Sequence, residues 1–531
     1  MKLPIQNRPD PLRPVWIALL LIFWLSACVP FPQSTPGSGP PVVFVHGFQG
    51  LSGSTGQGCK TIPAVFPSAG YPLGDLPGWF AEHGFSAWLA SYETRPTGTP
   101  ALAVNAGCLR NQLAYISRQS GGLPLTIVAH SMGGMVARAA LHAGEAPGFE
   151  VASLVTLGSP HAGLSIDFLA KFPRFLCRTQ RGACELAFEA VPVFNAAYPN
   201  LPGTAYWFLG GTHGSALTDW WLSPQVGSND GLIGAYSAIG LSYPEAGQDP
   251  PGWRGEAAGL IWTDETHGPV FGADTAYYLP RSAGSDPGAP SHAFTCIFAV
   301  LTGAPPPAAC TPASASAAEL PARPPVQYTF VQHLEIGPLT QTDAAAIQVD
   351  AEVTETGRIV VFWDGERPEI SLSVPGRDVP ATGSEDFETS GGDGEFPPFA
   401  VYAFAGESPG VWTLNVSGNA ETTVAVFAIV ESSRVLSVAT DRAVYGASDG
   451  IMTVTASLTS GGEPVPGGTV WAYLEKDLDA AVELTFDGTV YTGVLPVPAE
   501  PSPYLLTVAA AAQDGKTFFN RQVDRVILVE E

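Results

Sequence analysis

LTIVAHSMGG, residues 125–134, runs from an apolar, strand-like stretch straight into the helical spacing of Met132 to His142. With no linker between the two, the chain must reverse direction within a residue or two. So sharp a turn leaves room only for small neighbours, and Ala129 and Gly133 stand on either side of Ser131. Ala129 takes the place of the first glycine of the nucleophile-elbow pattern and adds a single methyl group. The geometry lifts the Ser131 hydroxyl above a sheet edge. It also aims the Met132 N–H and the helix N-terminus at an oxygen gaining negative charge.

Outward from this turn, Val42–Val45, Phe85–Ala90 and Val151–Leu157 are further continuous apolar runs, while Leu102–Arg118 has helical spacing. Apolar strands alternating with helices predict a mostly parallel sheet covered on both faces. The first of these strands ends in VHGF (45–48), a His-Gly turn where the Phe48 N–H is the simplest second donor to the same oxygen. A serine nucleophile needs a base and an orienting acid, and in this fold they follow the serine in the chain as acid and then histidine. Asp230 in SNDGLI (228–233) is the first choice of acid, although Asn-Asp-Gly is also plain turn chemistry; Asp219 and Asp264 are reserves. Of the nine histidines, His267, His292 and His333 follow a plausible acid, and His333 falls among later strands. His292 opens a helix-like segment and is preferred, with His267 as the alternative base.

The chain length implies roughly three or four domains. A formal charge of -25, with no basic run after residue 13, excludes nucleic acid as a partner. Lys2, Arg8 and Arg13 precede the apolar run Val15–Leu25, which is shorter than the ~20 residues of a membrane span. LSAC (25–28) then reads as a lipobox, with Cys28 as the lipid anchor of an exported envelope or cell-surface protein; an ordinary secretory signal and full secretion is the alternative. Setting Cys28 aside leaves Cys59, Cys108, Cys177, Cys184, Cys296 and Cys310, an even set in an exported chain. Proximity favours pairing Cys59 with Cys108, Cys177 with Cys184 and Cys296 with Cys310.

All six lie before residue 311, and the pattern changes there. The expected organisation is a signal and lipobox (1–28), a linker (29–40), the α/β unit (41–302), a Pro/Ala-rich linker (303–325) and two β-sandwiches (326–432 and 433–531). The last has strand-like runs at Val435–Thr440, Ile451–Leu458, Thr469–Leu474, Ala481–Phe486, Val490–Leu495, Tyr504–Ala510 and Gln522–Val529, which suits an immunoglobulin-like sandwich. The β units carry no triad or metal cluster. Their expected role is as spacers or as binding modules for envelope, matrix or substrate.

Five ordered segments, VHGF (45–48), AHSMG (129–133), LGSPHAG (157–163), FNAAYP (194–199) and NDGL (229–232), resemble the bacterial extracellular triacylglycerol lipases of the α/β-hydrolase fold over residues 41–302. The resemblance implies Ser131, Asp230 and His292 as the triad and Phe48 and Met132 as oxyanion donors, acting on lipid or other ester substrates without a cofactor. Some of these lipases hold calcium through an aspartate just after the catalytic histidine; Ala293 to Ile297 contains none, so no metal is expected. Instead, Cys296 with Cys310 would pin the helix that His292 opens. Between Gly163 and Asn200 the family builds a lid, for which Phe168, Leu169, Phe172, Phe175 and Leu176 are candidates, although such spacing also suits ordinary core. A polyester depolymerase, thioesterase or acyltransferase would use the same triad, and a catalytically silent surface-binding lipoprotein is the reading from another class.

Overall fold

The computed structural model describes residues 39–48, 64–65, 76–94, 100–142, 148–164, 181–187, 190–212, 229–240, 258–263, 267, 292–305, 310–312, 328–336, 339, 343–349, 357–364, 366–374, 377–379, 399–404, 410–418, 422–442, 444–474, 478–515 and 517–530. Cys28, Cys59, Cys177, Asp219, Asp264 and the lid candidates Phe168 to Leu176 lie outside the described residues.

Side-chain alternation along the first strands dictates how the first half packs. Its strands are β1 (Pro41–Val45), β2 (Ala64–Val65), β3 (Ser86–Ala90), β4 (Leu125–His130), β5 (Val151–Leu157), β6 (Ala205–Gly211), β7 (Gly259–Thr263) and β8 (Thr311–Pro312). Val43 and Val45 of β1, Trp88 and Ala90 of β3, and Ile127 and Ala129 of β4 enter one core cluster. The residues between them, Val42 and Phe44, Ala87 and Leu89, and Val128, enter another. Successive side chains of a strand point to opposite faces, so this sheet is apolar on both and must be covered on both.

The helices supply that cover. With α1 (Leu76–Glu82), α2 (Leu102–Gln119), α3 (Met132–His142), α4 (Arg181–Cys184), α5 (Val191–Ala197), α6 (Ala235–Ala238) and α7 (His292–Thr302) in chain order, α2 and α3 pack Leu109, Leu113, Met135 and Val136 into the first cluster. On the other face α1 and α7 pack Leu76, Phe80, Phe294 and Ile297. The strand order is β2-β3-β1-β4-β5-β6-β7-β8. From β3 to β7 every pairing is parallel, with antiparallel β2 and β8 at the edges. This is an α/β-hydrolase domain, whose sheet gathers the C-terminal ends of its strands on one side. A disulfide joins Cys296 of α7 to Cys310, just before β8. Cys108 and Cys184 are disulfide-bonded as well. Their expected partners, Cys59 and Cys177, are not among the described residues.

Beyond residue 327 the sheets turn antiparallel. Strands from Tyr328–Ile336 to Thr423–Glu431 form two four-stranded sheets. Trp412 and Leu414 of one share a core with Ile359, Val361 and Val424 of the other, which makes a sandwich. From Arg434–Thr440 to Thr517–Glu530 two five-stranded sheets pack in the same way, Met452 and Val454 against Val470 and Val508. Among the described residues here one strand pair is parallel, Val444–Gly446 beside Leu528–Glu530, a short strand that the sequence pattern did not announce. The final strand also serves two cores by alternation: Ile527 and Val529 face its own sandwich, while Val526 is buried in the core of the α/β half with Leu528 packed beside it.

Candidate active site

Ser131 is the one residue between β4 and α3, and among the described residues it is the only non-glycine with positive φ, 53°. Left-handed backbone is costly for a residue with a side chain, so the surroundings must hold it. Its N–H donates to Leu157 O on neighbouring β5 (2.9 Å), and its carbonyl accepts from Gly134 N–H (3.1 Å). Glycines let the flanking backbone close in. A Cβ on Gly133 would lie 2.3 Å from His46 O, and one on Gly47 2.7 Å from Ser131 Cβ. The VHGF turn at the end of β1 therefore sits directly against the elbow, with half-buried Phe48 next in the chain.

His46 in that turn is a buttress. Its ring stacks on Tyr92 with centroids 4.5 Å apart, and the Tyr92 hydroxyl donates to His46 O (2.8 Å). Nδ1 faces the Gly47 carbonyl at 2.7 Å, and a carbonyl only accepts, so the proton is on Nδ1. Burial pulls His46 down to about 4 against the opposing Gly47 bond, which keeps it neutral at physiological pH. The segment carrying Tyr92 is itself held by α2. Gln112 bonds to both backbone groups of Ser91, and Asn105 to both of Glu93, at 3.3 Å from N–H and 3.2 Å to O.

Asp230 satisfies its turn and faces a histidine at once, because its two oxygens divide the work. Oδ1 accepts from Leu232 N–H (3.0 Å) and Ile233 N–H (2.7 Å), and Asn229 Oδ1 accepts from Gly231 N–H (2.8 Å). Oδ2 lies 2.9 Å from His267 Nδ1. The other ring nitrogen, Nε2, is 3.0 Å from Ser131 Oγ. A carboxylate on Nδ1 requires the proton there, leaving the Nε2 lone pair turned to the serine hydroxyl. All three side chains are buried.

Of the two histidines expected for the base, His267, the alternative, is the one whose ring the fold brings to Ser131 and Asp230, while His292, the first choice, opens α7. The physical reason lies in what each segment does. α7, which His292 opens, is spent on packing Ala293, Phe294 and Ile297 against the sheet face. His267 instead follows shortly after β7, at the C-terminal edge where the elbow and the Asp230 turn also lie. His333 sits in the strand Tyr328–Ile336, opposite Phe427.

LGSPHAG and FNAAYP meet in a buried polar network behind the elbow. Arg138 of α3 donates to Asn195 Oδ1 (2.8 Å) and Tyr198 O (2.7 Å) and reaches His161 Nδ1 at 3.3 Å. Asn195 donates onward to His161 O (2.8 Å). Burial first, and then the facing Arg138 charge, hold His161 well below its ordinary range. Neutral His161 accepts at Nδ1 and donates from Nε2 to Thr156 Oγ1 (2.9 Å). Sequence reasoning missed Tyr92, Arg138, Asn105 and Gln112 as parts of this frame. The signal available was a polar amide at each of two buried positions of the α2 helical pattern.

Comparison with known proteins agrees with the fold. The family model described as PGAP1-like alpha/beta domain matches residues 104–182, which include the elbow. Over nearly the whole chain the structure is similar to the lipase BlEst2 of Bacillus licheniformis in propeptide form, with a TM-score of 0.55, 16% identity and coverage of 94% of this chain and 95% of that one. The mature form of the same lipase aligns with 45% of this chain and 89% of its own, at 20% identity and a TM-score of 0.31. A metagenomic carboxyl esterase aligns with 40% of this chain and 63% of its own, at 18% identity and a TM-score of 0.29. The comparison with curated proteins finds no match.

Proposed function

We propose that this chain is a serine hydrolase of carboxylic esters, with lipid esters of the triacylglycerol type among its substrates. The observation that carries the reading is the continuous line from Asp230 Oδ2 through both His267 nitrogens to Ser131 Oγ, with the serine held at φ 53°. Ser131 attacks the ester carbonyl as His267 takes its proton, and Asp230 fixes the imidazole tautomer and stabilises the cation formed. The N–H groups of Phe48 and Met132 receive the oxyanion. His267 then protonates the leaving alcohol, and water hydrolyses the acyl-serine by the same route. No cofactor takes part.

The lipase and esterase names of the similar structures fit this reading, and polyester depolymerase, thioesterase and acyltransferase activities stay within the same chemistry. Chromogenic esters of graded acyl length, compared between the wild type and Ser131→Ala, test it. Hydrolysis that Ser131→Ala abolishes is expected, and the chain-length optimum distinguishes lipase from short-chain esterase. Equal rates in the two proteins would refute the assignment, and inactivity towards every ester would favour a silent binding protein. Export with lipid attachment at Cys28, an immunoglobulin-like last module, and envelope or matrix binding by the β units belong to the same proposal; mass spectrometry of the mature N-terminus tests the anchor.

A second reading has its own support: the full-length similarity is to a lipase in propeptide form. On it, the β half is a pro-region of the enzyme. Val526 and Leu528 packed against the α/β core are the contacts such a region would use. Glu185 of the α/β half adds a second element. It caps α2 by accepting from Leu102 N–H (2.7 Å), and burial, aided by the nearby Glu530 charge, raises its carboxyl. Limited proteolysis between the halves followed by an esterase assay tests this reading; a rise in kcat supports it, and an unchanged kcat overturns it.

A further inference from the structure

His267 belongs to no helix or strand, although it must hold two hydrogen bonds to partners on other elements. Its backbone is held from both ends. The N–H donates to Asp230 O at 2.7 Å, within the turn that supplies the carboxylate. The carbonyl lies 2.9 Å from Nε2 of His130, the residue immediately before Ser131. Since a carbonyl only accepts, His130 carries its proton on Nε2 and donates it. The His130 and His267 rings lie side by side, with centroids 4.7 Å apart and planes 39° apart.

His130 is buried, and burial first, then the facing His267 and His46, outweigh the bond to the His267 carbonyl and depress its protonation well below the ordinary range. A neutral ring suits its place, because a cation there would oppose formation of the His267 imidazolium.

We propose that His130 is a positioning residue that locks the base to the nucleophile: its Nε2–H bond to the His267 carbonyl sets the distance from His267 Nε2 to Ser131 Oγ. The proposal rests on the assignment of Ser131, His267 and Asp230 above. The physical need is plain, since proton transfer falls steeply when base and hydroxyl drift apart, and His267 lies in no helix or strand that would fix it by itself. The nucleophile strand thereby supplies the anchor for the base as well as the serine.

Two substitutions separate the bond from the packing. His130→Phe keeps a ring and removes the donor, whereas His130→Gln places an amide N–H near the original Nε2. The full-length protein is assayed with a chromogenic ester and, independently, for the rate at which a fluorophosphonate labels Ser131. His130→Phe is expected to lower kcat and the labelling rate roughly 10- to 100-fold with KM within about twofold, and His130→Gln to recover most of the loss. A loss confined to KM, equal loss in both variants, or wild-type kcat in His130→Phe would each overturn the proposal. If His130→Phe fails to fold, His130→Met serves as the donor-free variant, against the same His130→Gln. Ser131→Ala in parallel keeps the two levels apart: full activity there refutes the site itself, whereas an inactive Ser131→Ala beside a fully active His130→Phe refutes only the positioning role.

Discussion

Among the described side chains, buried histidines lie only in the α/β half, whereas buried arginines lie in both halves. The α/β half seals His46, His130 and His161, each neutral because burial depresses its protonation. The last sandwich seals Arg434 and Arg521, both within 5.1 Å of the Phe519 ring centre. Arg521 donates to Arg434 O (2.8 Å), Asn520 O (2.7 Å) and Ser432 Oγ (2.8 Å), so its charge is tied to the junction between the sandwiches. Rings with one donor and one acceptor nitrogen can relay a direction towards a reacting group, whereas guanidinium groups on carbonyls fasten backbone, as Arg138 does on Tyr198 O in the α/β half. The histidines orient and the arginines hold.

Removing a buried anchor from either half tests how far the two stand apart. Trp412→Ala, which empties the centre of the first sandwich, is expected to cost about 3–5 kcal/mol of that unit's stability while fluorophosphonate still labels Ser131. Differential scanning calorimetry with labelling would reveal it. Arg138→Met acts in reverse. It leaves buried His161 and Asn195 without their donor, should cost the α/β unit on the order of 3 kcal/mol, and should leave the sandwich transition in place. Loss of both transitions together in either variant would mean that the Val526 contact couples the halves into one cooperative unit.

Gly47→Ala probes orientation most directly, since its Cβ would press on Ser131 Cβ at 2.7 Å. A fall in kcat of roughly 100-fold, about 2.7 kcal/mol, is expected from steady-state kinetics, with a lower melting temperature from the same buried clash. Acid should act more gently and on one side. For a histidine whose folded pKa lies below the unfolded 6.5, the unfolded chain binds the proton first, so stability is complete above 6.5 and declines as pH falls towards the folded value. For His46 that window runs from 6.5 down to about 4, at up to about 1.4 kcal/mol per pH unit. The last sandwich has Asp487 held low by the N–H groups of Val490 and Thr489 and Asp449 by that of Gly446, so its proton-linked loss begins only as pH falls through the ordinary carboxylate range. Melting the protein between pH 7 and pH 4.5 should therefore lower the α/β transition first.

The α/β half was legible because its signals are local. A strand joined to a helix through Ala129-His130-Ser131 admits one backbone solution, and Asp230 sits in a turn whose own bonds use only one carboxylate oxygen. The proposed base was not legible in the same way. His292 and His267 both follow the acid, and the choice depends on which segment the sheet needs for packing, which is a tertiary matter. α7 is consumed by the face that Phe80 and Phe44 expose, and His267 is placed by bonds to Asp230 and His130 that have no sequence pattern. In the β half, alternation disclosed the sandwiches, yet the short parallel strand Val444–Gly446 depends on pairing with the far end of the chain.

The most direct test of the account is a comparison of His267→Ala with His292→Ala in ester hydrolysis, both scored against Ser131→Ala. His267→Ala is predicted to fall to the level of Ser131→Ala, roughly 10⁴-fold or more below wild type in kcat, with His292→Ala within a few-fold of wild type. An inactive His292→Ala beside an active His267→Ala would contradict it.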